Sequence, residues 1–302
     1  GAPGPNPPWW NERRITYTTQ RDAAGERAAG RQPGLRALVL YPMNALVEDQ
    51  LSRLRDALDS TEVEAAIQNG GGRIYFGRYI GSTPMPGNSF DKKLVTRKRA
   101  KLAEEMRELE LARRAVEDGG ISNSNMFPRV DGSEMRSRWD MQSAVPDLMI
   151  TNISMLAIML MRDQESEMLR QTREYLKTPG AVFHLVIDEL HLSRGSSGSE
   201  IAHLVRLLLH RLGLGPDDER LRIIASSASL EDSQDDDDGA STGRRFLSEF
   251  FAKDGDDFEL IPGAAEMMDG KDPLDPEGGS IAGEMDPLPT GPFTERVDLL
   301  ED

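Results

Sequence analysis

The sequence predicts a parallel α/β sheet flanked by helices. Three observations predict this fold class: short apolar runs of strand length recur along the chain, stretches with helical spacing lie between them, and each main run ends in a small polar cluster. Strands that alternate with helices pair in parallel through right-handed crossovers. We expect the folded core over residues 35–262, between an irregular segment at 1–34 and a flexible Gly-, Pro- and acid-rich linker at 263–302.

The first elements follow from an apolar run and two periodic stretches. Residues 35–40 form a short apolar strand, and Asn44 is the expected N-cap of a helix whose apolar spacing runs over 46–58. A second strand is expected over 73–80, closed by Gly and Pro. Residues 91–117 then form a long charged helix with a narrow apolar seam.

The middle of the chain is expected to hold a helical insertion at about 86–145, whose last part, 118–145, is irregular. A third strand over 148–151 and a Met- and Leu-rich helix over 154–162 follow. The apolar run over 182–187 is the most informative strand, because it leads directly into two acids and a histidine. We interpret it as a strand buried on both faces, as in a parallel sheet.

The last elements follow a Ser- and Gly-rich stretch, 193–200, which we interpret as a flexible loop. An apolar helix over 201–212 is stopped by glycine, and a strand over 221–225 follows. A short amphipathic helix over 243–252 and a short strand over 258–261 complete the expected fold.

Composition limits the classes of protein that fit. The chain has 36 basic and 52 acidic residues and a formal net charge of −16, which argues against a protein that coats nucleic acid nonspecifically. This charge is still compatible with a protein that binds one nucleic-acid strand through a small, local surface. The sequence has no cysteine, so disulfides and thiolate metal sites are excluded and a cytoplasmic location is expected. No stretch approaches the roughly 18 apolar residues of a membrane-spanning helix.

The polar clusters at the strand ends are the candidate site. In a parallel sheet the carboxyl ends of all strands lie at one edge, where open α/β sheets bind ligands. Such an edge can hold a phosphate backbone with amides and hydroxyls, and a metal with a water beside it. The clusters contain Pro42, Met43 and Asn44; Gly81-Ser82-Thr83-Pro84; Thr151 and Asn152; Asp188-Glu189-Leu190-His191; and Ser227, Ala228 and Ser229.

The acid pair at Asp188 and Glu189 has two possible interpretations. One carboxylate can hold Mg²⁺ while the other orients or deprotonates a water. An acid pair that closes a strand can also be a solvated strand end. His184, His203 and His210 have no cysteine partners, so packing or surface roles are favoured over metal binding.

The start of the long helix also leaves two interpretations open. Six basic residues follow Asp91 without an acid among them: Lys92, Lys93, Arg97, Lys98, Arg99 and Lys101. They can be a solvated face, or a patch that contacts phosphates. The acidic run over 231–238 is interpreted as a solvated loop.

The order of these motifs resembles the first RecA-like domain of a superfamily 2 DExH-box helicase, in particular the large bacterial helicases of repair and phage-defence systems. The segment Ala37 to Gln50 resembles motif Ia, and Pro146 to Asn152 with Met155-Leu156 resembles the Pro-Asp-x-x-x-Thr-Asn-x-x-Met-Leu motif of bacterial helicases. Asp188 to His191 corresponds to motif II. Ser227-Ala228-Ser229 corresponds to motif III.

The resemblance implies roles at the matched positions. Asp188 would position Mg²⁺ on ATP through water, and Glu189 would activate the attacking water. His191, Ser227 and Ser229 would couple the nucleotide state to strand binding. The residues implied to face the sugar-phosphate backbone of single-stranded or duplex nucleic acid, expected to be DNA, are Pro42, Met43, Asn44, Thr83, Thr151 and Asn152.

Two features depart from the family pattern. The sequence contains no Gly-x-x-x-x-Gly-Lys-Ser/Thr, and no second RecA-like domain with an arginine finger. We expect both to belong to the rest of a longer parent helicase, and this chain alone to hydrolyse ATP poorly. The alternative is a non-catalytic helicase-like scaffold or regulatory module, in which residues 91–117 bind a partner protein.

Overall fold

The computed structural model describes residues 31–42, 45–68, 72–85, 92–118, 129, 132–193, 195–228 and 242–261. Predictions for Met43, Asn44, Ser229, the acidic run 231–238 and most of both terminal segments lie outside these residues. The chain divides into one unit over Gly1–Phe258 and another over Glu259–Asp302.

Six strands form one sheet, in the order β3-β2-β4-β1-β5-β6, and every pair of neighbours is parallel. The predicted RecA-like α/β class, an all-parallel sheet flanked by helices, is confirmed in its architecture. The strands are β1 (Ala37–Tyr41), β2 (Phe76–Tyr79), β3 (Glu134–Met135), β4 (Leu148–Asn152), β5 (Phe183–Ile187) and β6 (Leu221–Ala225).

The helices connect successive strands or follow the last one, as crossovers in a parallel sheet require. Three short 3-10 turns also occur in the described part of the chain, at Asp163–Glu165, Leu190–Leu192 and Gly255–Asp257. The α-helices of the described residues are α1 (Ala45–Leu58), α2 (Thr61–Gln68), α3 (Lys92–Asp118), α4 (Arg138–Ser143), α5 (Ile153–Met161), α6 (Ser166–Tyr175), α7 (Gly195–Leu212) and α8 (Thr242–Phe251).

Strand β5 is less enclosed than its apolar sequence predicts. Phe183, Leu185 and Ile187 are at most 2% exposed, whereas His184 and Val186 on the other face are only partly buried. The prediction of a strand buried on both faces is therefore wrong for one face, which is only partly buried. Alternate side chains of a strand point to opposite faces, so the two faces of β5 have unequal cover.

Three further predictions are corrected by the structure. The segment 118–145, expected to be irregular, contains β3 and α4, and β3 is an edge strand of the main sheet. The segment 193–200, expected to be a loop, contains the first residues of α7. The expected strand over 258–261 does not form: these residues have no strand partner among the described residues.

Asp147 anchors the amino ends of three strands. Its carboxylate is 2% exposed, accepts from Arg36 Nη1 at 2.6 Å, and accepts from the backbone N–H of Tyr75 at 2.8 Å. Its backbone carbonyl accepts from the N–H groups of Arg36 and Ala37 at 2.8 and 3.0 Å. Since these partners precede β1 and β2 and Asp147 precedes β4, one residue sets the mutual register of the three strands.

Candidate functional site

The strand register brings the predicted polar clusters to one edge of the sheet. Tyr41, the last residue of β1, lies opposite Asn152 of β4. Tyr79 of β2 lies opposite Thr151. On the other side, Ile187 of β5 is the partner of Ala225 of β6. The residues that follow these strand ends therefore lie along one edge, as predicted.

Asp188 is fixed by both strands that flank β5. Its backbone N–H donates to the carbonyl of Leu40 in β1 at 3.0 Å. Its Oδ1 accepts a short hydrogen bond from the hydroxyl of Ser226, the residue after β6. The N–H of Ser226 in turn donates to the carbonyl of Ile187 at 3.0 Å. Asp188 is half-buried, so its carboxylate has a defined position and access to solvent.

Glu189 has an unusual backbone conformation. Its φ of 52° and ψ of 46° lie in the left-handed region, which a residue with a Cβ adopts only at a cost of order 1–3 kcal/mol. Its N–H donates to Ser226 Oγ at 3.1 Å. The next N–H, of Leu190, donates to the Ser226 carbonyl at 2.8 Å. Strained backbone of this kind is concentrated at functional sites, so this geometry favours the functional interpretation of the acid pair over that of a solvated strand end.

His191 lies between the acid pair and the segment after β6. Its Nδ1 is 3.1 Å from Glu189 Oε2 and 3.3 Å from the backbone N–H of Ala228. A protonated Nδ1 can donate to the carboxylate, and an unprotonated Nδ1 can accept from the amide, but it cannot do both. The proton on Nδ1 therefore determines whether His191 holds Glu189 or Ala228.

The structure identifies one site residue that the sequence analysis did not. Ser226 contacts both acids, and it precedes the residues that the sequence analysis selected; Ser227 is described and Ser229 lies outside the described residues. The sequence signal for Ser226 was weak, because four small residues follow β6 and the family pattern favoured the later ones. Only the pairing of β5 with β6 shows which hydroxyl reaches the acid pair.

The donor set around Asp188 fits one kind of metal site. Among the described residues, no group of three or more His, Asp or Glu side chains is placed to enclose a metal ion. Mg²⁺ commonly uses one or two carboxylates and completes its shell with water and substrate phosphates. A single oriented carboxylate at Asp188 is therefore compatible with Mg²⁺.

The predicted strand-contacting threonines are buried. Thr151 is 0% exposed and its hydroxyl donates to the Tyr79 carbonyl at 2.6 Å. Thr83 is 3% exposed, donates to the Arg78 carbonyl at 2.7 Å and accepts from the Ile80 N–H at 2.9 Å. Neither hydroxyl faces solvent. In this conformation both stabilise the sheet edge through hydrogen bonds to the backbone inside the protein.

The other predicted strand-contacting residues are more accessible. Asn152 is half-buried, and its Oδ1 accepts from the N–H of Met155 at 2.7 Å as the N-cap of α5. Its side-chain oxygen is therefore used by the helix. Pro42 is half-buried and directly follows β1.

The loop after β2 is held by Arg138 of α4, an unpredicted element. Arg138 is 4% exposed, and its Nη2 donates to the carbonyls of Ile80 and Gly81 at 2.7 and 3.2 Å. Its guanidinium lies 5.2 Å from the ring centroid of Tyr79, within cation–π distance. Its backbone N–H donates to the Pro84 carbonyl at 3.0 Å. One buried arginine thus donates to three carbonyls of the Ile80–Pro84 turn.

A second buried contact lies beneath the end of β2. The hydroxyl of Tyr79 donates to Glu165 Oε1 at 2.7 Å and accepts from Gln142 Nε2 at 2.8 Å. Burial, and next the hydrogen bond to Glu165, raise the pKa of Tyr79 well above its ordinary value. The phenol therefore stays protonated and acts as a fixed donor beneath the edge.

The basic start of α3 is only partly described. Arg97 and Lys101 are exposed, and Lys101 Nζ lies 3.7 Å from Glu105, a weak surface pair. The side chains of Lys92, Lys93 and Arg99 lie outside the described set. Leu102 and Met106 pack with Met85 and Trp139, which places the middle of α3 against the segment that follows β2.

His203 and His210 are exposed on α7, and His184 Nδ1 lies 3.2 Å from the Arg36 carbonyl. These positions agree with surface and packing roles. Among the described helices, none combines the length and apolar character needed to cross a bilayer.

The chain is similar to Druantia protein DruE of Escherichia coli (strain UMEA 4076-1), with 34% identity over 242 residues, or 67% of this chain. The matched segment spans only 13% of the length of that curated relative. No protein-family model matches the chain.

Solved structures of helicases are also similar at low levels. DUF1998 helicase MrfA has 20% identity and a TM-score of 0.39, covering 72% of this chain and 22% of MrfA. Mycobacterium smegmatis helicase Lhr bound to ssDNA and AMP-PNP has 21% identity and a TM-score of 0.37, covering 68% of this chain and 18% of Lhr. Similarity this low carries no weight in assigning chemistry to individual residues.

Proposed function

We propose that this chain is part of the motor of an ATP-dependent nucleic-acid helicase or translocase, acting on DNA. The observation that supports it best is the arrangement at the end of β5. There a strained Glu189 and an anchored Asp188 share one hydroxyl, Ser226, from the neighbouring strand. The order of the DExH-box motifs supports the same assignment.

The proposed chemistry assigns one task to each acid. Mg-ATP, when bound, supplies the phosphoryl group to be transferred and the divalent charge that offsets its negative charge. Asp188 Oδ1 accepts from Ser226, so Asp188 would hold a hydrated metal ion through Oδ2. Glu189 accepts the proton of the attacking water, because an oriented carboxylate within hydrogen-bond reach is a suitable general base. Phosphoryl transfer depends chiefly on positioning and charge stabilisation, and these residue types supply both.

His191 supplies the proposed coupling between hydrolysis and strand binding. When its Nδ1 donates to Glu189 Oε2, that oxygen is occupied and is a weaker base. When Nδ1 instead accepts from Ala228 N–H, Glu189 is released and the segment after β6 is held. A change in the segment containing Ser227 and Ser229 would therefore reach the acid pair through one imidazole.

In this proposal, the residues of the strand-binding edge form two groups with different roles. Thr83 and Thr151 shape the edge through buried hydrogen bonds. The residues proposed to contact a sugar-phosphate backbone are Pro42 and Asn152, both partly exposed, together with Met43 and Asn44 of the same motif as Pro42. Arg138 positions the Ile80–Pro84 turn. The N–H groups of Ile80 and Thr83 are used within the turn and Pro84 has none, so the proposed phosphate donors are the amides of Gly81 and Ser82. The phosphate-cradling loop and a second motor domain would be contributed by other parts of the parent protein.

Two measurements on the full-length protein test this proposal: binding of a labelled single-stranded DNA, and ATP hydrolysis with and without that DNA. We expect binding together with hydrolysis that DNA stimulates. DNA binding without any hydrolysis would reject the motor and leave a binding module. Loss of both, with capture of a protein partner that depends on α3, would support the non-catalytic scaffold instead.

A further inference from the structure

The helix α3 changes the sign of its charge partway along its length. Its first part, 92–101, which we call the basic segment, has six basic residues and no acid. The remainder, 102–118, has six acids and three basic residues. Since a helix carries partial positive charge at its amino end and partial negative charge at its carboxyl end, this order is unfavourable at both ends. The stability of α3 therefore does not account for its charge order.

Two cations of the basic segment, Arg97 and Lys101, are exposed and lie one turn apart on the same side of α3. Arg97 has no ion-pair partner in the part of the chain that the structure describes. The Lys101 side chain is 81% exposed, with its Nζ 3.7 Å from Glu105. Like charges four residues apart repel, whereas a solvated helix face commonly alternates the two signs. Both cations can be reached by a ligand at the surface.

The topology places the basic segment at the carboxyl edge of the sheet. Helix α3 lies in the connection between β2 and β3, which are parallel neighbours. This connection leaves β2 at the carboxyl edge and returns to the amino end of β3, so α3 begins on the carboxyl side. The packing agrees, because Leu102 and Met106 contact Met85, which follows the Ile80–Pro84 turn, and Trp139 of α4. The basic segment comes directly before this contact, and its ten residues span about 15 Å.

The ligand that best fits this position is a nucleic-acid strand. Four residues of a helix rise about 6 Å, so Arg97 and Lys101 form a short row of positive charges that can face successive phosphates. The row lies beside the Ile80–Pro84 turn, where the strand is proposed to pass. Because the chain as a whole carries a net charge of −16, a local group of cations directs a polyanion to this one place. An acidic protein segment could also supply negative charge, but it would not require the cations to lie at this edge.

We propose that the basic segment of α3, through Arg97 and Lys101, contacts backbone phosphates of the nucleic-acid strand beyond the Ile80–Pro84 turn. This inference rests on the proposed function. It extends the strand path from the sheet edge onto a helix that no recognised motif covers. Since the contacts are with phosphates, they add affinity and salt dependence but no preference for base sequence.

The test compares the double variant Arg97→Gln/Lys101→Gln, which removes both charges, with Arg97→Lys/Lys101→Arg, which keeps them. The matched control, Arg114→Gln/Arg211→Gln, removes two exposed charges in the second part of α3 and on α7. Binding of a labelled single-stranded DNA oligonucleotide to the full-length protein is measured between about 50 and 200 mM salt.

We expect the charge-removing double variant to reduce the log–log salt slope by about 1.4, since each phosphate contact on a single strand contributes about 0.7. The ratio of wild-type to variant affinity should therefore shrink roughly sevenfold across this salt range. The charge-keeping variant and the matched control should retain the wild-type slope.

Chemical acetylation of lysines tests the contact directly. Without DNA, Lys101 should react as readily as Lys177, an exposed lysine that follows α6. A saturating amount of the oligonucleotide should protect Lys101 and leave Lys177 reactive. If Lys101 is unreactive without DNA, another segment of the protein already covers it, and the proposal is overturned.

The melting temperature tests whether the cations serve the fold instead. Arg97→Gln should melt no lower than the wild type without DNA, because it relieves repulsion from Lys101 and removes a charge from the unfavourable end of α3. A lower melting temperature would show that Arg97 stabilises the protein itself, which would explain its charge without any ligand and reject the premise.

The remaining outcomes separate this inference from the proposed function. If the wild type binds DNA and the charge-removing variant keeps its slope, the contact is rejected and the proposed function stands. An equal loss of slope in the matched control would show a general effect of net charge, with the same consequence. If the wild type binds no nucleic acid, both proposals fail. Binding of polyglutamate that is lost only in the charge-removing variant would then assign the basic segment to an acidic protein partner.

Discussion

The hydroxyl of Ser226 donates to Asp188 Oδ1, although the two residues are 38 positions apart along the chain. A serine hydroxyl has one proton and two acceptor lone pairs, so it can accept from the Glu189 N–H at 3.1 Å at the same time. The ends of β5 and β6 are thereby locked together at the proposed catalytic acids. Any displacement of β6 moves the acid pair.

Ser226→Ala should impair catalysis more than folding. The lost hydroxyl is exposed, so the free energy of unfolding should fall by only about 0.5–1.5 kcal/mol. ATP turnover should fall by roughly 10- to 100-fold, because the carboxylate of Asp188 loses its fixed orientation. Ser227→Ala is the comparison in the same assay. A larger loss in Ser227→Ala would return the coupling role to the position that the family pattern indicates.

Glu189→Gln should preserve ATP binding and abolish turnover in the full-length protein. The amide keeps the shape of the side chain and cannot accept the proton of the water, and a general base contributes about 10²–10⁴-fold. Steady-state hydrolysis and nucleotide binding are measured in parallel, with the exposed Glu200→Gln of α7 as control. Turnover within about tenfold of the wild type, roughly 1.4 kcal/mol in barrier, would remove Glu189 from this role.

Thr151→Val should destabilise the protein without changing the salt dependence of DNA binding. The hydroxyl is fully buried and donates to the Tyr79 carbonyl at 2.6 Å, so its loss should cost about 1–3 kcal/mol. Urea denaturation and the log–log salt slope are the two readouts. Weaker DNA binding with unchanged stability would instead mean that Thr151 turns outward and contacts the strand.

Asp147→Asn should be the most destabilising of these changes. It removes a buried charge that pairs with Arg36 at 2.6 Å and Arg31 at 2.9 Å, leaving cations without their partner. Both arginines are partly exposed, so we expect about 3 kcal/mol, the lower end for a broken buried pair. The urea midpoint measures it. Glu174→Gln, in an exposed pair with Lys177, should leave that midpoint almost unchanged.

Asp218→Asn should reduce stability at neutral pH and have no effect in strong acid. Hydrogen bonding from the Arg220 side chain lowers the pKa of Asp218 from 3.8 to about 2. A lowered pKa means that the folded state favours the ionised form. The stabilisation is therefore complete above about pH 4 and is lost as the pH falls toward 2. Screening by solvent limits it to about 0.5–1 kcal/mol. Urea midpoints for both proteins across this window should converge, and a constant difference would disprove the linkage.

The local hydrophobic pattern of the sequence was sufficient to predict the main strands and most helices. The runs that became β1, β4, β5 and β6 are apolar and bounded by turn residues, and an alternating order of strands and helices leads to a parallel sheet. The same rule placed Asp188, Glu189 and Thr151 at one edge before any contact was known.

Some elements depend on contacts that local composition does not reveal. The two residues of β3 are too few to show the alternation of apolar and polar residues that predicts a strand. They form a strand because β2 lies beside them. The start of α7 is rich in Gly and Ser, which predicts a loop. A Cβ on Gly198 would collide with the carbonyl oxygen of Ser193, so glycine is needed there by close packing and not for flexibility.

The sequence by itself determined the fold class, the edge at which the site lies and the identity of its acids, because hydrophobic periodicity and strand-end polarity are local properties. Only the tertiary structure decided that Ser226 holds both acids, that Thr83 and Thr151 point inward, and that Arg138 belongs to the same edge. Each of these is a hydrogen bond or a charge balance between strands far apart in the chain. Which partner a polar side chain meets is set by strand register and packing, and neither can be deduced from the identity of that residue.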